Sequence, residues 1–221
     1  MNETAKIFKT REFMRVKRIL IILTMFLTAS LRGQSNSVIS MLSPKLRQFL
    51  VQHPAAQKCL NSAVEGAFTN RTVQIYYFYT DNQLAARYYH YYPAEGQVVV
   101  AIRENEQSSD EFIGLLFELL NSKNERIFTE LFRKATSGEI SRTDFATEIL
   151  KAEFQAVIKT RDSLKLFKLT DHEILTSDYY ATFSKCPDKF EDYLAYSKKL
   201  SPDRDVFREY ELKFDLLQKK E

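Results

Sequence analysis

Two glutamates offer the clearest acid–base chemistry in this sequence. Glu118 stands in the segment LLFELLN, and Glu153 stands in KAEFQAV. Two carboxyl groups can act as general acid and general base when a fold holds them at a suitable separation. One hypothesis is therefore a hydrolase that uses Glu118 and Glu153. The sequence shows no nucleophile motif and contains no tryptophan on which a sugar could stack, which weighs against this hypothesis.

The segment around Glu118 predicts a helix with one broad apolar face. Its start, SSDEF, supplies a capping serine and an acidic first turn. At about 100° per residue, one face collects the apolar side chains of Phe112, Ile113, Leu115, Leu116, Leu119 and Leu120. Glu118 and Asn121 fall on the opposite side, with Phe117 at the edge. We expect Glu118 either to face water or to line a cleft.

Glu153 belongs to a longer helical segment, ISRTDFATEILKAEFQAVIKTRDSLKLFKL, which predicts one long helix or two with a bend. The apolar stripe of this segment comprises Phe145, Ile149, Ala156 and Val157, and Glu153 falls inside it. Burying an unpaired carboxylate is costly, so such a position needs a physical reason. An arginine partner, backbone donors, a raised pKa or a metal would each supply one. A stripe edge placed one residue away would also explain it.

Together with the preceding strand-like segment GQVVVAIRE, these two helices resemble the core of zincin metallopeptidases of the gluzincin type. In that family an edge strand binds extended substrate, the next helix carries a His-Glu-x-x-His motif, and a later helix supplies a glutamate ligand. The resemblance covers residues 97–160 and matches Phe117 to the first histidine, Glu118 to the general base, Asn121 to the second histidine and Glu153 to the third ligand. The two most diagnostic positions are therefore changed.

That change alters the chemistry that the resemblance implies. A catalytic zinc ion needs three protein ligands and an open position, and the phenylalanine ring offers no ligand atom. The resemblance therefore implies a pseudoenzyme that holds no metal and needs no cofactor. Such a protein could still bind an extended peptide by main-chain hydrogen bonds along the strand that contains Val98, Val100 and Ile102.

Other residue patterns exclude several classes of protein. The three histidines, His53, His90 and His172, do not have the spacing of a metal-binding pair. Phosphate-binding loops, dinucleotide fingerprints and serine-hydrolase elbows are absent from the sequence. The formal net charge of +3 is too close to balance to indicate a nucleic-acid partner. The expected partner is a peptide or another protein.

The N-terminus has the pattern of a secretory signal peptide. The basic stretch KIFKTREFMRVKR precedes an apolar run, Ile19 to Leu31, which is shorter than the roughly 20 residues of a spanning helix. We expect a signal peptide at 1–33, cleaved after Ser30 or Gly33, and a single domain at 34–221. Met14 is an alternative start. A secreted or periplasmic protein is predicted, and an uncleaved N-terminal membrane anchor is the alternative.

Two cysteines, Cys59 and Cys186, would meet an oxidising compartment after export. A disulfide between them would tie the N-terminal helices to the C-terminal helices. Two free buried thiols are the alternative.

The order of segments predicts an α+β fold. RTVQIYYFYT, AARYYHYY and GQVVVAIRE are rich in aromatic and β-branched residues, which predicts about three strands in a small antiparallel sheet. From Ser108 onward the pattern is helical, with a helix that ends at Gly138. Before the strands, Ser43 and Pro44 predict the start of a helix. The sheet is expected to pack against a mostly helical C-terminal half, as in a zincin-like fold.

Three functional hypotheses follow from these patterns. The first is an exported, catalytically inactive zincin-like protein that binds a peptide or protein. The second is a structural or interaction module of the cell envelope that has no cleft and uses its tyrosine-rich segment, Tyr76 to Tyr92, as a partner surface. The third is the hydrolase that uses Glu118 and Glu153. The first two differ over whether Glu118, Asn121 and Glu153 meet in one cleft.

Overall fold

The computed structural model of the chain describes residues 38–65, 72–78, 90–94, 97–103, 107–200 and 205–219. The signal peptide predicted at 1–33, with its alternative start at Met14, lies outside the described residues. All described residues belong to one unit, Val38–Glu221. Within them, no helix has both the length and the apolar composition that crossing a membrane requires.

Helices make up most of the described chain. A short 3-10 helix, Val38–Met41, comes first. The α-helices that follow are α1 (Pro44–Gln52), α2 (Pro54–Glu65), α3 (Ser108–Ser122), α4 (Glu125–Thr136), α5 (Arg142–Leu164), α6 (Asp171–Thr176), α7 (Asp178–Ser184), α8 (Phe190–Leu200) and α9 (Val206–Gln218). The fold is therefore mostly helical.

Three short strands lie between α2 and α3: β1 (Thr72–Phe78), β2 (His90–Ala94) and β3 (Gln97–Arg103). Their order in the sheet is β1-β3-β2, so β3 is the middle strand. β1 pairs with β3 in parallel, with Thr72 opposite Gln97. β2 pairs with β3 antiparallel, with His90 opposite Ala101.

The prediction of an α+β fold with an antiparallel sheet is wrong. The described chain is a helical fold, and its few strand residues form a mixed sheet in which β1 and β3 run in the same direction. Residue type indicates which segments suit a pleated, half-buried surface, but it does not set strand order or direction. The three predicted segments therefore form a mixed sheet and not the expected antiparallel one.

Helix α3 lies at the centre of the fold. All of its residues except Ser108 and Phe117 are buried. It packs against α1, α2, α5, α7 and β3, from which Val100 and Ile102 contribute fully buried side chains. A helix that is enclosed on every side must find partners for any polar side chain that it carries.

A second, smaller apolar cluster lies between α4, α5 and α9. Its buried members are Leu131 and Ala135 of α4 with Phe145 and Ile149 of α5. Phe145 contacts Phe132 edge-on at 5.5 Å and Phe214 at 5.7 Å between ring centroids. This cluster places α9, the last described helix, beside α5.

Local signals position two helix ends. The Ser43 hydroxyl accepts a hydrogen bond from the Leu46 N–H at 3.1 Å, with Pro44 in the first turn, so the predicted start of α1 is confirmed. Gly138 has φ 71°, the left-handed conformation that follows many helix C-termini, directly after α4 and its C-cap Ser137. The Glu139 N–H then donates to the Lys134 carbonyl at 2.8 Å, which closes the last turn.

Candidate functional site: a row of buried polar side chains on the central helix

The first turn of α3 uses its two carboxylates to hold neighbouring helices. Asp110 accepts hydrogen bonds from the Ser177 hydroxyl at 2.5 Å and from the Tyr179 N–H at 3.2 Å. Glu111 accepts a hydrogen bond from the Ser43 hydroxyl at 3.1 Å. Because Ser43 and Ser177 are the N-caps of α1 and α7, these carboxylates tie the starts of three helices together.

Two turns further along α3, Glu118 is only 7% exposed and Asn121 only 6%. The alternative in which Glu118 faces water is therefore wrong. The helical periodicity correctly separates these residues from the apolar stripe, but α5 and α7 pack beside α3 as well. Enclosure on all sides buries the face that local pattern assigns to solvent.

The structure brings the two candidate glutamates within electrostatic reach of each other. Burial raises the pKa of Glu118 well above its ordinary value, and the negative charge of Glu153 on α5 raises it further. A carboxyl group that loses its water favours the neutral form, and a neighbouring negative charge acts in the same direction. Burial and the charge of Glu153 therefore both favour the neutral form of the Glu118 carboxyl.

Glu153 is contacted from α9. The Tyr210 hydroxyl donates a hydrogen bond to Glu153 Oε1. One turn later on α9, burial lowers the pKa of Lys213, and the charge of Glu153 partly restores it. The Lys213 ammonium also lies 4.6 Å from the centroid of the Phe132 ring. The carboxylate in the apolar stripe is thus explained by a tyrosine and a lysine of α9 instead of the expected arginine.

The two residues at the histidine positions of the zincin resemblance take part in packing. The Phe117 ring lies 5.3 Å from the Phe183 ring of α7, between centroids. Asn121 Oδ1 is buried and has no hydrogen-bond partner. An unsatisfied buried acceptor costs about 1–3 kcal/mol, so Asn121 is a local weakness of α3.

Two cavities in the described part of the chain lie away from these residues. One, of about 260 Å³, is formed by α1, the start of α3 and Glu173 of α6. Another, of about 250 Å³, lies between α5, α8 and α9. Neither is lined by Phe117, Glu118, Asn121 or Glu153. The two glutamates thus interact electrostatically, and neither of these two cavities opens onto them. No group of three His, Cys, Asp or Glu side chains among the described residues is placed to hold a metal ion.

The predicted peptide-binding edge is not an edge. Val98, Val100 and Ile102 belong to β3, which is paired with β1 on one side and β2 on the other. Its main-chain groups are therefore already used by the two neighbouring strands. The expectation of an edge strand is wrong because β3 lies between β1 and β2 in the sheet.

Both cysteines are free thiols in the structure. Cys186 is buried, and burial raises its pKa to about 11, while the nearby Arg161 charge opposes the shift. Arg161 Nη1 donates to the Cys186 carbonyl at 2.8 Å. Burial also raises the pKa of Cys59 on α2. The predicted disulfide is absent from the structure and stays a prediction for the exported protein.

Sequence reasoning missed a hydrogen bond between distant segments. His53 Nε2 lies 3.0 Å from Glu173 Oε1, which joins the end of α1 to α6. The other oxygen of Glu173 accepts hydrogen bonds from the Thr170 N–H and hydroxyl, in a capping box at the start of α6. The spacing of Thr170 and Glu173 is a local signal that could have located this helix start. Nothing local indicates His53.

Comparisons of the chain with protein-family models, with curated proteins and with solved structures found no match. The resemblance to zincins therefore stays a prediction that rests on residues 97–160 of the sequence alone.

Proposed function

We propose that the protein acts by binding a peptide or protein partner and not by catalysis, as an exported interaction module of the cell envelope. One observation carries the proposal. The candidate catalytic carboxyl, Glu118, is 7% exposed inside a helical core, and its neighbour Glu153 is hydrogen-bonded by Tyr210. These groups hold α3, α5 and α9 together.

Catalysis at these residues would require access that the arrangement does not provide. A general acid or base must come within about 3 Å of the proton that it transfers, directly or through one water. The neutral carboxyl of Glu118 is enclosed by α3's neighbours, and neither cavity described above reaches it. This favours the cleft-free interaction module over the hydrolase hypothesis.

The position of Phe117 also argues against a zinc-dependent activity. Its ring occupies the place where the zincin resemblance would need an imidazole, and it packs on Phe183. An aromatic ring committed to the core cannot be exchanged for a ligand without rearranging the contact between α3 and α7. We therefore propose that any ancestral metal chemistry has been replaced by packing.

The proposed partner surface is the tyrosine-rich segment from Tyr76 to Tyr92. Tyrosine is enriched at protein interfaces because it combines a large apolar area with a hydrogen-bonding end. Most of this segment lies outside the described residues. Its part in the proposal rests on composition.

Activity and binding can be tested on the purified full chain. Metal analysis and assays with peptide and glycoside substrates should give no stoichiometric metal and no turnover above that of Glu118→Gln. Turnover that disappears in Glu118→Gln would establish the hydrolase instead. In parallel, extended peptides are screened by fluorescence anisotropy. Binding that is lost on replacing Tyr88 and Tyr89 by serine supports the proposed surface, while no binding at high micromolar concentration counts against the binding role.

The proposed location is tested separately. A reporter enzyme that is active only after export is fused behind residue 37, so that the basic and apolar N-terminal stretch precedes it. Export and removal of the segment support the signal peptide. A reporter that stays membrane-bound supports the anchor, and an inactive reporter would contradict both.

A further inference from the structure

The start of α3 lies at the wall of the larger cavity described above. This cavity, of about 260 Å³, is bounded by Lys45, Gln48 and Gln52 of α1, by Ser108 and Ser109 of α3, and by Glu173 of α6. Its walls are mainly hydrogen-bonding groups, and its size suits a small polar ligand.

The N-terminus of α3 is uncapped. Gln107 occupies the N-cap position and makes no side-chain capping bond. By contrast, Ser43, Ser141 and Asp205 accept a backbone N–H at the starts of α1, α5 and α9. No hydrogen bond of the backbone N–H groups of Ser108 and Ser109 is found in the described part of the chain. These donors and the helix dipole together favour a negatively charged oxygen.

A buried hydroxyl provides an independent indication of a ligand. Ser109 lines the cavity and is only 2% exposed, and its Oγ has no hydrogen-bond partner among the residues that the structure describes. A desolvated hydroxyl without a partner is unfavourable by about 1–3 kcal/mol. An acceptor oxygen that entered at the start of α3 could take up this hydrogen bond after a rotation about the Cα–Cβ bond of Ser109.

The charges around the cavity permit an anion. Lys45 supplies a positive charge at the wall. The acidic side chains of the first turn, Asp110 and Glu111, are already hydrogen-bonded to Ser177 and Ser43. Glu173 is paired with His53 and hydrogen-bonded by Thr170. Each carboxylate thus has donors of its own, and Lys45 is left to face the cavity.

We propose that this cavity binds a small oxyanion, a carboxylate or a phosphate group, between the Lys45 ammonium and the first N–H groups of α3. The Ser109 hydroxyl donates the additional hydrogen bond. The site is separate from Glu118 and Glu153, and it does not depend on whether the protein is catalytic.

The full chain, labelled with ¹⁵N, is titrated with inorganic phosphate and separately with acetate, at constant ionic strength set with chloride. The proposal expects saturable shifts of the Ser108 and Ser109 amide signals. A response to phosphate alone identifies a phosphate site, a response to acetate alone identifies a carboxylate site, and a response to both identifies a general oxyanion site. No saturable shift with either anion would overturn the proposal.

Three variants separate the site from general attraction to positive charge. Lys45→Ala should weaken binding about tenfold, as expected for loss of a charge-assisted hydrogen bond. Lys58→Ala, which removes an exposed lysine of α2 outside the cavity, should leave it unchanged. Ser109→Ala should weaken binding about threefold without lowering the melting temperature of the free protein. Equal effects of Lys45→Ala and Lys58→Ala would refute the site.

Discussion

The Tyr210 hydroxyl of α9 donates a hydrogen bond to Oε1 of Glu153 in the middle of α5. Glu153 in turn raises the pKa of Glu118 on α3. A hydrogen bond thus links α9 to α5, and an electrostatic interaction links α5 to α3. This chain of contacts defines what the glutamates do in the folded protein, and it can be tested from each end.

Removing the phenol should loosen α9. Tyr210→Phe deletes the hydrogen-bond donor to the Glu153 carboxyl group, and we expect a loss of about 1–2 kcal/mol in the free energy of unfolding, measured with urea. The matched control is Tyr196→Phe, which removes a hydrogen bond of 2.8 Å to the neutral Thr182 carbonyl and should cost about 1 kcal/mol or less. A Tyr210→Phe protein as stable as the wild type would show that this contact does not hold α9.

Glu118 should make stability depend on pH in a defined direction. Its pKa is raised in the folded state, so below its ordinary value of 4.5 it is protonated in both states and costs nothing. As pH rises above 4.5, the unfolded chain ionises first and the folded state is penalised until the folded pKa is passed. Glu118→Gln removes this penalty.

The stability difference between Glu118→Gln and the wild type should therefore grow with pH. This stability difference can change by at most about 1.4 kcal/mol per pH unit. Subtracting the two proteins removes the opposite trends of carboxylates with lowered pKa, such as Asp162 and Glu173, which are common to both. Urea unfolding between about pH 5 and pH 8 measures the difference. A difference that stays constant over this range would contradict the raised pKa.

Replacing Asn121, whose side-chain oxygen is unpaired among the described residues, should not destabilise the protein, in contrast to Tyr210→Phe. Asn121→Leu replaces an unsatisfied buried amide with an apolar side chain of similar size, and it should leave stability unchanged or raise it by about 1 kcal/mol. Asn124→Leu is the control, because Asn124 Nδ2 donates to the Ala152 carbonyl at 2.7 Å and its loss should destabilise by about 1 kcal/mol. Thermal unfolding of the two variants measures both effects. A large loss in Asn121→Leu would mean that its oxygen has a partner.

The two thiols should react at different rates in the native protein. Cys59 is partly exposed, whereas Cys186 is buried with a pKa of about 11, so little of it is thiolate at neutral pH. Labelling with a thiol reagent, followed by mass spectrometry, should modify Cys59 first and Cys186 only after unfolding. If neither thiol reacts in the unfolded, unreduced protein isolated after export, the predicted disulfide is formed there.

Local sequence signals located several helix ends but not their neighbours. Ser43 with Pro44 and the positive-φ Gly138 were predictable because capping involves only residues a few positions apart. The burial of Glu118 was not predictable, since it depends on α5 and α7 covering a face that periodicity assigns to solvent. The order of the strands in the sheet was not predictable for the same reason. β1 pairs with β3, although β2 lies between them in the sequence.

For the candidate site, the sequence points to Glu118 and Glu153 as acid–base or ligand residues, whereas we propose a structural role for them. The sequence singles out Glu153 because a carboxylate among apolar neighbours needs an explanation, and Glu118 because it matches the general-base position of the zincin resemblance. The explanation lies in Tyr210 and Lys213 of α9, whose positions relative to α5 only the tertiary structure provides. The uncapped start of α3 was equally hidden, because SSDEF has the composition of a capped helix start.

The account depends most on Glu118 being a buried structural carboxyl whose pKa is raised by burial and by the neighbouring Glu153. The direct measurement is the pH titration of the Glu118 side-chain carboxyl carbon by ¹³C NMR, with the signal assigned by its loss in Glu118→Gln. The account predicts a pKa well above 4.5 in the wild type and a lower value in Glu153→Gln, where the neighbouring charge is gone. A Glu118 carboxyl that titrates near 4.5, and does not respond to Glu153→Gln, would contradict it.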